Sequence, residues 1–311
     1  MTAPRPLRIA LIGIGKIARD QHVPVLAARQ DAELVATVSR NAEVDGIPGF
    51  KSLAEAFDRV PEIEAVTICT PPIAHYQQAK EAMLAGRHVF LEKPPAASLS
   101  EIESLRGMAS EHGLTLFASW HSRFAAAVEP ARSWLADKTL KNVHISWKED
   151  VRRWHPGQDW LFESRGMGVF DPGINALSIA TRILPRPFIL RQASLEVPAN
   201  RQAPISASLR FVDEAGVPIT AEFDFREQGL ETWEFHVETE QGKLCLSAGG
   251  AKITIDGLEQ SVGPTDEYAG LYDRFIELVR ERRSDVDSLP LVHVADAFLL
   301  GERLSSEPFD W

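Results

Sequence analysis

At 311 residues the chain is long enough for two domains with sizeable cores. Its 44% hydrophobic and 25% charged residues are ordinary for a soluble globular protein. A formal charge of -11 repels phosphate backbones and argues against nucleic-acid binding, and no apolar run approaches the length of a membrane span. Residues 1–6 carry no hydrophobic segment, so no signal peptide is expected and the location read is cytoplasmic. Cys69 and Cys245 lie in apolar, strand-like runs and are read as buried and reduced. No Cys/His spacing suggests zinc, and no metal is expected.

Leu7–Ile12 is a compact apolar run, read as a first buried strand. Gly13-Ile14-Gly15-Lys16-Ile17-Ala18 follows and fits G-x-G-x-x-G/A; a helix comes next, with Ile17, Val25 and Leu26 among its apolar positions. In this pattern the first glycine makes a tight turn and the second lets the backbone approach a pyrophosphate. A small third residue lets helix and strand pack closely, and the helix N-terminus faces the anion. Placed between a first strand and a helix, it marks a dinucleotide site with Gly13, Gly15, Lys16 and Ile17 as contacts. Residues 34–38 form the second strand. Where an NAD enzyme carries a carboxylate for the ribose 2′-hydroxyl, this chain has Ser39-Arg40-Asn41. A hydroxyl and a guanidinium suit a 2′-phosphate, so NADP is the expected cofactor, with NAD tolerated.

A short helix over 52–57 and a third strand over 65–69 lead to Thr70-Pro71-Pro72, a turn that can lie against the cofactor. His75 opens the next helix, which stops at Gly86; it is a candidate to touch the ribose or substrate, the alternative being a solvated side chain. The fourth strand, His88–Leu91, ends at Glu92-Lys93-Pro94. Ligands bind at the C-terminal ends of strands in open α/β sheets, and a neutral lysine there can exchange a proton with a substrate hydroxyl. The plainer reading is a surface turn with an ion pair. A helix over 100–112, capped by Ser98 or Ser100 and ended by Gly113, precedes a fifth strand over 114–118. Strand and helix alternate throughout, which specifies a doubly wound parallel sheet.

The second half alternates with period two. Ala221, Phe223 and Phe225 are separated by Glu222 and Asp224; Trp233, Phe235 and Val237 alternate with Glu234, His236 and Glu238. Such strands bury one face, as in an open, mostly antiparallel sheet. Gly249-Gly250 reads as a two-residue hairpin joining 243–248 to 251–256. Two late helices carry apolar stripes, Tyr268, Leu271, Phe275 and Leu278 on one, Leu291, Val294, Ala295, Phe298 and Leu299 on the other.

Two stretches of this half look chemical. Residues 148–160 mix charges with Trp154, His155 and Trp160 around Pro156-Gly157, and tryptophans beside carboxylates suit a sugar. The alternative is a strand edge with core tryptophans. Gly166-Met167-Gly168-Val169-Phe170-Asp171-Pro172-Gly173-Ile174-Asn175 opens a helix. Asp171 reads either as its N-cap, with Pro172 at the first helical position, or as a ligand-facing group sharing a face with Asn175.

The Gly-x-Gly-x-x-Ala start, Glu-Lys-Pro after the fourth strand and Gly-x-Gly-Val-Phe-Asp-x-Gly-x-Asn midway resemble the glucose–fructose oxidoreductase / inositol dehydrogenase superfamily over almost the whole chain. Residues 13–22, Trp120-His121-Ser122-Arg123, residues 148–158 and residues 171–177 look most like bacterial L-arabinose 1-dehydrogenases and D-galactose 1-dehydrogenases. The resemblance implies an α/β protein: a Rossmann domain over 1–122 and a substrate-binding α+β domain over 123–311 built on an open, mostly antiparallel sheet. The last helix is a candidate to pack back on the first domain, and the open sheet is a candidate homodimer surface. It implies Lys93, Asp171 and Asn175 around the reacting carbon of a small aldose, Glu92 with Lys93 among the cofactor contacts, and Glu149, Trp154, His155, Trp233 and His121 as sugar-pocket candidates. Most superfamily members carry histidine where this chain has Asn175, and an asparagine amide cannot act as a base. The proton then goes to Lys93 or to Asp171. The implied reaction is oxidation of C1 of L-arabinose or D-galactose to the aldonolactone. The alternatives are an inositol-type dehydrogenase acting at another ring carbon and a non-catalytic NAD(P)-binding sugar sensor.

Overall fold

The computed structural model describes residues 5–311; residues 1–4, part of the stretch read for a leader, lie outside the described residues. The chain divides into two units. One runs to His121 and includes Tyr268–Ser288; the other comprises Ser122–Glu267 and Leu289–Trp311. The helix that returns to the first unit is therefore the penultimate one, Glu267–Glu281, and the last helix, Leu289–Leu300, stays with the second. Aromatic packing explains this: Tyr272 and Phe275 sit within 5.2 and 5.4 Å of the Phe90 ring.

The first unit is built on β1 (Leu7–Ile12), β2 (Ala32–Val38), β3 (Gly49–Phe50), β4 (Ala65–Ile68), β5 (His88–Leu91) and β6 (Leu116–Ala118). All pair in parallel, in the order β3-β2-β1-β4-β5-β6. β1, β4 and β5 are nearly continuous buried runs, as expected for strands covered on both faces. The strand order reverses between β1 and β4, and the glycine turn and Thr70 turn both leave the sheet there. Ser98, not Ser100, caps Leu99–His112 by accepting the Glu101 amide; Gly113 closes that helix in the left-handed region.

The helix after the glycine turn is irregular. Ala18–His22 is a π-turn in which the Val23 amide donates to the Ala18 carbonyl. Pro24 lies just beyond; it has no N–H to continue the α-helical ladder, and its ring would crowd the carbonyl four residues back, so the wider turn relieves both problems. His22 is fully buried as a result, whereas Ile17, read as an apolar helix position, is 37% exposed.

The second unit carries a nine-stranded sheet of β7 (Leu140–Lys148), β8 (Phe188–Pro198), β9 (Ser206–Asp213), β10 (Pro218–Asp224), β11 (Thr232–Thr239), β12 (Gly242–Ser247), β13 (Lys252–Ile255), β14 (Leu258–Glu259) and β15 (Glu302–Ser306). The order is β14-β13-β12-β11-β7-β10-β9-β8-β15; β7–β10 and β8–β15 are parallel and the other pairs antiparallel. Phe223, Phe235 and Val237 face the core as the alternation predicts. The helix Phe170–Ile183 packs on this sheet, with Phe170 edge-on to Phe223 at 6.0 Å.

Three local expectations differ. Ser247 pairs with Lys252, so a 3-10 turn over Ala248–Gly250 replaces the two-residue hairpin. On the last helix Leu291, Val294 and Ala297 are buried and Leu299 points to solvent. Cys69 and Cys245 are free thiols, but partly rather than fully buried. Among the described residues no helix is long and apolar enough to cross a membrane.

Candidate active site

The turn after β1 is shaped for a dinucleotide. Gly13 has φ +84°, and a Cβ there would lie 2.7 Å from Thr70 Cγ2 and 2.9 Å from the Thr70 amide nitrogen. Only glycine relieves both the conformation and the contact. A Cβ on Gly15 would meet nothing within 4 Å, so its backbone faces open space where a pyrophosphate fits. Lys16 reaches back to Asp20 in an exposed ion pair. Thr70 is tied down twice: its hydroxyl donates to Gln78 Oε1 at 2.6 Å and its carbonyl meets His75 Nε2 at 2.6 Å. His75 is thus fully buried rather than solvated, and burial pushes its pKa down. It supports the Thr70 turn from behind, and Pro71 stands exposed at the start of Pro72–Leu84.

At the end of β2, the Ser39 amide donates to the Phe50 carbonyl at 3.0 Å and the Arg40 side chain is exposed. Lys51 Nζ donates to the Arg40 carbonyl at 3.2 Å, bringing a second cation to this strand end. The sequence did not suggest Lys51, because the two-residue strand β3 that places it is too short to leave a periodic signal.

At the end of β5 the ion-pair reading of Glu92-Lys93 fails, because Glu92 is only 5% exposed and its partners lie inside. Its Oε1 accepts from His22 Nε2 at 3.0 Å and from the Tyr268 hydroxyl at 3.1 Å; its Oε2 accepts the Lys93 backbone N–H at 2.9 Å. A carboxylate only accepts, so His22 Nε2 carries the proton. His22 Nδ1 meets the Tyr272 hydroxyl at 2.8 Å, and that hydroxyl donates to Thr67 Oγ1 at 3.3 Å. Burial pushes the Glu92 carboxyl up. The hydrogen bond and charge of His22, the charge of His121 and the Lys93 amide outweigh it and hold the group down at about 2. Glu92, read as a cofactor contact, is therefore engaged in the interior. The His121 ring stacks on Tyr268 at 5.7 Å, and Lys93 is half-buried.

In the second unit, Asp171 lies in the first turn of Phe170–Ile183 but is not its cap, since Val169 holds that position without a side-chain bond. The Asp171 carboxylate lies 3.5 Å from His155 Nε2 instead. The helix N-terminus favours a carboxylate there. Gly168 sets up this entry. It has φ +53° and a Cβ would fall 2.1 Å from the Pro204 carbonyl oxygen, which accepts the Val169 amide at 2.7 Å. Asn175 follows one turn later, half-buried, on the same helical side as Asp171.

The tryptophans form a corner. Trp233 Nε1 donates to the buried Glu149 Oε2 at 2.9 Å, and Trp154 Nε1 donates to Glu231 Oε1 at 2.7 Å. The two rings lie 5.9 Å apart at 53°, and Trp154 is 37% exposed. Both N–H groups are held by carboxylates; the Arg153 guanidinium lies over the Trp154 ring at 5.0 Å and Trp147 packs against Trp233 at 6.0 Å, so C–H contacts are left to the ring surface these neighbours do not cover. Trp154 sits on a one-turn helix, Val151–Trp154, within what the sequence shows as a loop, and Glu231 was not foreseen. On β11 and β12, Glu234, His236 and Cys245 bring donor atoms within 4.8 Å of one another. His236 is paired with Glu234 at 2.9 Å, and burial and then the charge of Glu234 push the Cys245 thiol up.

Comparison with known proteins decides the family. Residues 7–119 match the model of an oxidoreductase family with an NAD-binding Rossmann fold. The galactose 1-dehydrogenase of Pseudomonas fluorescens is 43% identical over 307 residues, covering 98% of this chain and 99% of that protein. This chain belongs to the glucose–fructose oxidoreductase / inositol dehydrogenase family. Its fold is shared along its whole length with the crystal structure of D-galactose-1-dehydrogenase from Rhizobium etli, at 50% identity, TM-score 0.96 and full coverage of both chains. A 3-ketoreductase from Actinomadura kijaniata, solved in complex with NADP, has the same fold at 19% identity and TM-score 0.82, covering 97% of this chain and 100% of that one. The family member described here is an NAD(P)-binding oxidoreductase, and the open glycine turn and Thr70 cradle fit that cofactor.

Proposed function

We propose that this enzyme oxidises C1 of a cyclic aldose, D-galactose or L-arabinose, to the aldonolactone, using NADP+ in preference to NAD+. The observation that carries the sugar is the Trp154–Trp233 corner with Glu149 and Glu231 at its edges. Two aromatic faces and adjoining carboxylates suit a ring that presents C–H groups on one side and hydroxyls on the other. The near full-length likeness to galactose 1-dehydrogenase supports the same substrate class.

Lys93, in its neutral form, takes the proton of the C1 hydroxyl. Bound NAD(P)+ supplies the hydride acceptor for C1. Asp171 and Asn175 bind and orient the sugar hydroxyls, with Asp171 steadied by His155. His121 is a further hydroxyl contact. Asn175 orients but cannot titrate, so the base role falls on an amine or carboxylate. A panel of aldoses with NADP+ tests the reading: rapid NADPH formation with D-galactose or L-arabinose, followed by slow acid release as a lactone hydrolyses, is the expected result. Reduction without delayed acid would count against the lactone.

A second reading places oxidation at another ring carbon. It is supported by the dTDP-3,4-didehydro-2,6-dideoxy-alpha-D-glucose 3-reductase of Streptomyces antibioticus, 31% identical over 304 residues and 90% of each chain.

Arg40 and Lys51 carry the cofactor preference. Arg40→Ala is expected to raise the Kd for NADP+ about tenfold or more while leaving NAD+ within about twofold, as loss of a charged phosphate contact predicts. Fluorescence titration with both cofactors measures it; equal weakening would remove the 2′-phosphate role.

A further inference from the structure

The buried cluster behind Glu92 has no role in the reaction as described so far. A carboxylate that is 5% exposed costs stability unless it is fully bonded, and a neutral residue of similar shape would avoid that cost. Here three donors converge on it from three separate parts of the first unit: His22 from the π-turn, Tyr268 from Glu267–Glu281, and the amide of Lys93 itself. The far side of His22 is held as well, by Tyr272 and through it Thr67. The His22 ring also packs edge-on against Phe90 and Tyr268, with centroids 5.6 and 5.0 Å apart. The one backbone group fixed by this arrangement is the N–H of Lys93.

We propose that His22 and Tyr268 are positioning residues for Lys93: by holding Glu92 as a buried carboxylate they keep its second oxygen on the Lys93 amide and so aim the amine. The inference rests on Lys93 being the proton acceptor, as proposed above. His22 does not touch the substrate and transfers no proton; it acts through Glu92. The charges that act on this carboxylate are those of His22 and His121; its own charge reaches Cys69, His75 and Tyr272. Of these, Tyr272 and Cys69 are held neutral by burial, and His75 is driven toward neutrality by the same cause. His22 is the partner that both bonds and charges against Glu92.

Three variants test this: His22→Leu, which removes the donor, His22→Gln, whose amide N–H can replace that of Nε2, and Tyr268→Phe. In His22→Leu, kcat is expected to fall about ten- to a hundredfold, the range a misplaced catalytic group produces, with the Kd for NADP+ unchanged. His22→Gln should recover most of that loss, and Tyr268→Phe should lose less than His22→Leu. The pH profile separates positioning from mere support. Glu92 is ionised throughout the working range in the parent enzyme, because its folded pKa is depressed to about 2. Without His22, burial is opposed less, the carboxyl titrates higher, and kcat should acquire a decline on the acid side that the parent enzyme lacks. In a Glu92→Gln background that decline must vanish, and adding His22→Leu should cost little more in kcat, since both act through one group.

A His22→Leu enzyme with lower Tm but parental kcat and pH profile would overturn the proposal, as would full additivity with Glu92→Gln. Should His22→Leu not fold, His22→Gln and Tyr268→Phe still decide: parental kcat in Tyr268→Phe, with no change of profile, overturns it. Failure of the Lys93 reading itself is distinguishable, because Lys93→Ala would then turn over normally whatever His22 does.

Discussion

Lys93→Ala is expected to lower kcat about a hundred- to ten-thousandfold, the range that loss of a positioned general base produces, while NADP+ still binds. The lysine stands at the C-terminal end of β5, next to a carboxylate bonded to three separate donors. Removing the side chain leaves the Lys93 amide and its bond to Glu92 intact, so the backbone should hold its course. A loss confined to kcat therefore reports the amine. Stopped-flow measurement of NADPH formation with saturating sugar, beside a fluorescence titration of NADP+, separates chemistry from binding. Parental turnover would remove lysine from the mechanism.

Asp171→Asn is the second large effect. The substitution keeps the shape of the side chain but removes its charge and with it the pairing to His155 at 3.5 Å. A fall in kcat of about a hundredfold is expected, within the usual range for a group that orients and polarises a reacting hydroxyl. KM for the sugar should rise as well, since in the proposed mechanism the same carboxylate holds ground-state hydroxyls. The two variants also assign the base. If Lys93 accepts the proton, the ionisation seen in the kcat profile persists in Asp171→Asn and is absent from the residual activity of Lys93→Ala. The opposite pattern would make Asp171 the acceptor.

The parts of this molecule that were legible in sequence share a physical cause. β1, β4 and β5 are buried on both faces, so they appear as mostly apolar runs, and the turn after β1 admits only glycine at position 13. Ser98 and Gly113 mark the ends of a helix because each satisfies backbone groups that nothing else would. β3 escaped notice at two residues, and Lys51 with it.

The residues that sequence reading missed act across long separations. His22 stands 70 positions before Glu92, and Tyr268 stands 176 after it. Neither spacing carries a signal, and His22 is turned inward by a π-turn that only the conflict with Pro24 explains. Glu231, 77 residues from the Trp154 it anchors, is the same kind of case. Asp171 was open to two readings because a carboxylate before proline commonly caps a helix. The structure starts the helix two residues earlier, with Val169 at the cap position, and sets the carboxylate beside His155. The Glu-Lys-Pro triplet stands just past a strand end, as the sequence reads, but its glutamate is buried and bonded in the interior while Lys93 is half-buried.

The most direct test of the account uses D-galactose carrying deuterium at C1. On incubation with this enzyme and NADP+, the account predicts that the deuterium appears on the reduced nicotinamide and that galactonolactone forms in equal amount. Reduced cofactor without deuterium, with label retained at C1 of the sugar, would place the oxidation at another carbon and contradict it.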